Sequence, residues 1–62
     1  MKFKEFRQTN CFKEANMIFY RDPDGKVVEL PYRKMKNKEV VAWSFIPNKS
    51  NNIKMLFVTI KP

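Results

Sequence analysis

The sequence predicts a mainly β domain, either a small antiparallel sheet or a partly open SH3-like barrel of about five strands, with one short N-terminal helical turn as an optional addition. Three observations lead there. Runs rich in β-branched and aromatic residues recur at 16–21, 26–30, 39–46 and 53–61. Turn formers separate them, as Asp22-Pro23-Asp24-Gly25 and at 47–52. No apolar stripe at helical spacing is sustained over more than a turn or two. An α+β sheet with one N-terminal helix is the alternative.

The first fifteen residues are the least regular. Phe3 and Phe6 fit neither strict alternation nor a long helical stripe and are read as strand followed by turn, with Thr9 or Asn10 able to cap a short helical turn through Ala15. The clearest local signal follows. Pro23 presets φ for the first central turn position, Asp24 suits the second, and Gly25, the only glycine, can take the left-handed conformation that closes a tight hairpin. In that hairpin Asp22 faces Lys26, Tyr20 faces Val28 and Ile18 faces Leu30, which gathers an apolar face and leaves Phe19 and Arg21 opposite Glu29 and Val27.

Pro31 ends the second strand or sits on an unpaired edge. Residues 33–38, with four cations in six positions, read as a polar loop. Residues 39–46 and 53–61 form a second hairpin. If Ile46 pairs with Ile53, then Val41, Trp43 and Phe45 share the core face with Leu56, Val58 and Ile60, and Val40, Ala42, Ser44, Met55, Phe57 and Thr59 share the other. The strand at 53–60 is long and apolar enough to recruit another chain if it lies at a sheet edge.

At 62 residues the chain supports one domain with one core, and further burial from a dimer or partner would add to a marginal stability. Cys11 is the single cysteine and there is no histidine, so disulfide and zinc scaffolds are excluded, no cofactor site is visible, and Cys11 reads as a small buried hydrophobe. The opening Met1-Lys2-Phe3-Lys4-Glu5 lacks the apolar run of a signal peptide, and no window is long enough to span a bilayer. A cytoplasmic protein without membrane partners is expected. Abundant lysine and asparagine beside scarce glycine and alanine suggest an AT-rich coding sequence of the kind found in many bacteria and their phages.

The segment Phe19-Tyr20-Arg21-Asp22-Pro23-Asp24-Gly25-Lys26-Val27-Val28-Glu29-Leu30 resembles the terminal hairpin of glyoxalase and bleomycin-resistance proteins, where a similar run ends in a metal-binding glutamate. The resemblance implies that Glu29 is a ligand. It covers twelve residues, lacks the histidines usual among that family's other ligands, and uses residues that any tight hairpin turn favours. Catalysis has little else to build on. The carboxylates are scattered, no triad can be assembled, and a histidine-free ribonuclease using Arg33, Lys34, Tyr20 and Tyr32 is the one enzymatic option the composition leaves.

Net charge is +7, and residues 31–62 carry seven basic side chains against one acidic. Such a field attracts polyanions or acidic protein surfaces. The leading expectation is therefore a non-catalytic protein that binds DNA or RNA through Tyr32, Arg33, Lys34, Lys36, Lys38, Lys49, Lys54 and Phe57, with stacking aromatics among phosphate-neutralising cations. Trp43 belongs to the core on this reading, because Val41 and Phe45 share its side. The alternative is a small protein-interaction module or inhibitor, for example phage-encoded, that uses an edge strand or the basic face. A homodimer is compatible with both.

Overall fold

The computed structural model describes residues 1–48, Ser50 and residues 52–62. Strands dominate it: β1 (Met17–Arg21), β2 (Val40–Asn48) and β3 (Ile53–Ile60) form one open sheet in the order β1-β3-β2. Three short helices, α1 (Phe3–Phe6), α2 (Asn10–Glu14) and α3 (Tyr32–Met35), accompany it. The small open sheet of a mainly β domain is present, but in place of an antiparallel sheet or SH3-like barrel of about five strands it has three strands in mixed orientation. No helix among the described residues is long and apolar enough to cross a membrane.

β3 occupies the centre. It runs antiparallel to β2 and parallel to β1, with Phe19 beside Phe57 and Tyr20 beside Val58. The core is the face where Leu56, Val58 and Ile60 are buried, together with Phe3 and Phe6 of α1, Met35 of α3 and Val40; Phe12 of α2, Ile18, Tyr20, Val28 and Phe45 pack around them. The other face of the sheet has no helix against it. The strand at 53–60 does not lie at an edge: β3 carries apolar residues on both faces and pairs along its length with both β1 and β2, so the condition for recruiting another chain through it is not met.

The N-terminal strand is corrected as well. Phe3 and Phe6, three residues apart, lie on one side of a single helical turn and are both buried, a spacing that fits a helix and would split them across the two faces of a strand. Thr9 caps α2, its hydroxyl accepting from the Phe12 amide at 3.4 Å, so the short helical turn read at this point is present.

The turn at 22–25 forms largely as read. The Asp22 carboxylate accepts from the amides of Asp24 and Lys26 at 2.9 Å each, the Asp22 amide donates to the Lys26 carbonyl, and Gly25 sits at φ 89°. Arg21 bridges Val27 and the Val28 amide donates to Tyr20, but the second strand ends there. Ile18 pairs with Leu56 instead of Leu30, since β3 offers eight residues of ladder and a buried face where 26–30 offers a single turn of ribbon. The 33–38 loop is also corrected: Pro31, at φ −65°, precedes a helical turn that buries Met35.

The β2–β3 register is displaced by two residues from expectation, with Ile46 opposite Met55 and Asn48 opposite Ile53. An even displacement preserves the faces, so Trp43 and Phe45 do lie on the side of Val58 and Leu56, but Trp43, expected in the core, is exposed at the open edge with one side against Phe6. A bulge between Val40 and Ala42 reverses the strand's first residues. Val40 turns inward at 5% exposure, and Val41, expected in the core, is 50% exposed. Replacing Val40 by Asp should cost about 3 kcal/mol or more in urea unfolding, and Val41→Asp less than about 1 kcal/mol. Equal losses at the two positions would reject the bulge.

Candidate nucleic-acid interface

Helices α1 and α3 are locked together through their backbones. The first amides of α1 have no partner within their own helix, and they donate instead to the chain leaving α3: Phe3 to the Lys38 carbonyl at 2.9 Å and Lys4 to the Lys36 carbonyl at 3.0 Å. This seam brings the backbone segment that carries Lys4 and Arg7 against the one that carries Arg33, Lys34 and Lys36, and all five side chains are exposed. The one carboxylate of α1, Glu5, accepts a hydrogen bond from the Lys2 amide at 3.2 Å.

An aromatic cleft opens beside this seam. Its volume is about 190 Å³, and Phe3, Arg7, Phe12, Tyr20, Leu30, Tyr32 and Met35 line it. The Arg7 guanidinium carbon lies 4.3 Å from the Tyr32 ring centroid, a cation–π contact in which the ring faces its own cation. Tyr32 remains 45% exposed. Deeper in, the Tyr20 ring meets Phe3 edge-on at 5.5 Å. Burial pushes the Tyr20 phenol above its ordinary value, and the Arg7 charge pulls against that rise without cancelling it.

The expected site residues divide among several regions. Tyr32, Arg33, Lys34 and Lys36 gather at α3, and Lys38 follows, half-buried and tied by its carbonyl to α1. Lys54 is exposed near the start of β3, where its amide and carbonyl bond the side chain and amide of Asn16. The length of the strand puts it about 20 Å from the Ile60 end that lies beside Val40, the residue that follows the α1–α3 seam. Phe57 faces away from the helices altogether. Lys49 lies outside the described residues.

Phe57 belongs to a second surface, on the uncovered side of the sheet. Its ring stacks on Phe19 at 5.0 Å and 17°, which accounts for a phenylalanine that the hairpin reading left without a role. The Arg21 guanidinium sits 5.8 Å from the Phe57 centroid and its Nε donates to the Thr59 hydroxyl at 3.4 Å. Exposed Met17 and Ile46 flank the pair. Tyr32 and Phe57 therefore belong to opposite sides of the sheet, and a ligand contacting both would have to wrap an edge.

Sequence reasoning missed Lys4 and Arg7, since their value depends on α1 docking against α3. It also missed Phe19 and Arg21 as partners of Phe57, because that contact joins residues 38 apart across a parallel pairing. Glu29, the ligand implied by the hairpin resemblance, is exposed, and no group of three potential ligands is gathered among the described residues. No protein-family model, curated protein or solved structure matches the chain.

The Tyr20 environment yields a pH dependence. Because the folded state holds the phenolic proton more tightly than the unfolded chain, the stability it supplies is whole below the unfolded value of about 10 and is lost as pH climbs through the raised folded value. Unfolding midpoints of the wild type should therefore fall more steeply above pH 10 than those of Tyr20→Phe. Parallel curves would mean that burial exerts no such hold.

Proposed function

We propose that this protein is a non-catalytic nucleic-acid-binding domain whose contact surface is the α1–α3 side, with Lys4, Arg7, Arg33, Lys34 and Lys36 meeting phosphates and Tyr32 offering an aromatic face. The supporting observation is the backbone seam that brings together two distant chain segments carrying five exposed cations. Free lysines on separate loops would lose more side-chain and backbone entropy on binding than cations carried by docked helical turns. Recognition on this reading is of the backbone. The helical turns that carry the cations are four residues long, too short to present a base-reading face in a groove.

Arg7 has a specific part in this scheme. Stacked on Tyr32, it presents its guanidinium edge for bidentate phosphate contact while its face is satisfied by the ring. A second reading, a small module or inhibitor directed at another protein, is favoured by the open outer edge of β2. A pull-down with and without nuclease treatment separates the two, since only the first loses its target.

Engagement of five phosphates predicts a log–log salt dependence with slope about −4.5 on duplex, and about −3.5 on single strands. Changing Arg33, Lys34 and Lys36 together to alanine should make the duplex slope shallower by about 2.7 and leave the unfolding midpoint nearly unchanged, because exposed charges contribute little to stability. Salt-independent binding, or a slope untouched by the triple substitution, would rule out this surface.

A further inference from the structure

The outer edge of β2 is unfinished in a way that points to a second copy of the chain. At one end of the edge the Val40 amide donates to the Met1 carbonyl at 2.7 Å and Lys2 bridges Glu39. Pro47, which has no amide hydrogen, bounds the other. The interval between them has its backbone polarity set by β3. Lys54 turns both its amide and its carbonyl toward Asn16 on the β1 side, so its partner Pro47 belongs to a pair without mutual hydrogen bonds. Alternation then directs Ile46, Ser44 and Ala42 toward β3, and turns the amides and carbonyls of Phe45 and Trp43 outward. Those outward groups have no hydrogen-bond partner among the described residues.

Residues 40–48 contain no charged side chain, in a chain that is 31% charged with a net charge of +7. Edges are normally guarded by lysine or glutamate at such positions. Charge also selects the occupant. An acidic partner would find nothing to pair with along this strand, whereas a second +7 chain meets its copy with least repulsion where neither carries a cation. The strand is self-complementary too: reading outward from Ser44 in both directions gives an aromatic residue, then an apolar one (Trp43 and Phe45, then Ala42 and Ile46).

We infer that β2 pairs antiparallel with β2 of a second copy about a two-fold axis at Ser44, producing a continuous six-stranded sheet. Each outward residue then meets its counterpart: Trp43 exchanges two hydrogen bonds with Phe45 of the partner subunit, and Phe45 does the same with Trp43 of the partner subunit. Four hydrogen bonds close the edge. Two Trp–Phe cross-strand pairs form on the helix side, and the two Ser44 side chains meet at the axis, where the close approach of a non-hydrogen-bonded pair favours small residues. Trp43, now 44% exposed against Phe6, would be covered. An axis perpendicular to the sheet leaves both helical layers on one side, so the dimer would double the basic surface without requiring that surface to bind nucleic acid.

Sedimentation equilibrium on the wild-type chain should give a mass approaching twice 7.5 kDa as concentration rises. Ser44→Lys places two cations face to face at the axis and should weaken association about tenfold or more while the circular dichroism spectrum is retained. In a Cys11→Ser background, Ser44→Cys should form an intersubunit disulfide under mild oxidation, and Lys54→Cys should not. A wild-type chain monomeric to millimolar concentration overturns the proposal. So does a dimer that Ser44→Lys leaves intact, which would assign self-association to the Phe19–Phe57 face; should Ser44→Lys fail to fold, absence of the Ser44→Cys crosslink is decisive.

Discussion

The interior strand β3 is the constraint on which the rest of this small domain depends. Leu56, Val58 and Ile60 point into the helices, and Met55, Phe57 and Thr59 point away, so both of its faces and both of its edges need partners. The chain meets the first need with three helical turns and leaves the second face to the Phe19–Phe57 stack. Seven buried apolar residues make a core near the lower limit for a domain that stands alone. Every burial that β3 organises therefore weighs heavily in a net stability of a few kcal/mol.

Core and surface are coupled through α1. Burial of Phe3 and Phe6 presses this single turn onto β3, and its leading amides, like those of any helix, must find acceptors outside it. The carbonyls of Lys36 and Lys38 supply them. The same hydrogen bonds that satisfy the helix end thus bring the segment carrying the N-terminal cations against the one carrying those of α3. The sequence bias of positive charge toward residues 31–62 is in this way softened in space, since Lys4 and Arg7 from the nearly neutral N-terminal half join the basic side.

What was legible in the sequence was local. Asp22-Pro23-Asp24-Gly25 determines its own turn through Asx bonds and one left-handed glycine, and the alternation around Trp43 and Phe45 identifies their face whatever the register. What was hidden depends on distant contacts. A parallel β1–β3 pairing leaves no turn signature, because its connection includes α3 and the whole of β2. The bulge at Val41 adds one residue without a glycine to mark it, and α3 is a cationic tetrapeptide whose helicity comes from Pro31 and the burial of Met35. The candidate site divides along the same line: Tyr32 and the α3 cations could be named from sequence, and their neighbours Lys4 and Arg7 could not.

The parallel pairing of β1 with β3 sets the sheet order and gives β3 its interior position, and NMR couplings across hydrogen bonds measure it directly. The register places the Phe19 amide against the Leu56 carbonyl and the Val58 amide against the Phe19 carbonyl, and both couplings are expected. Antiparallel contacts between Ile18 and Leu30, with no coupling from Phe19 to β3, would show that 16–30 folds as an independent hairpin and that the sheet is assembled differently.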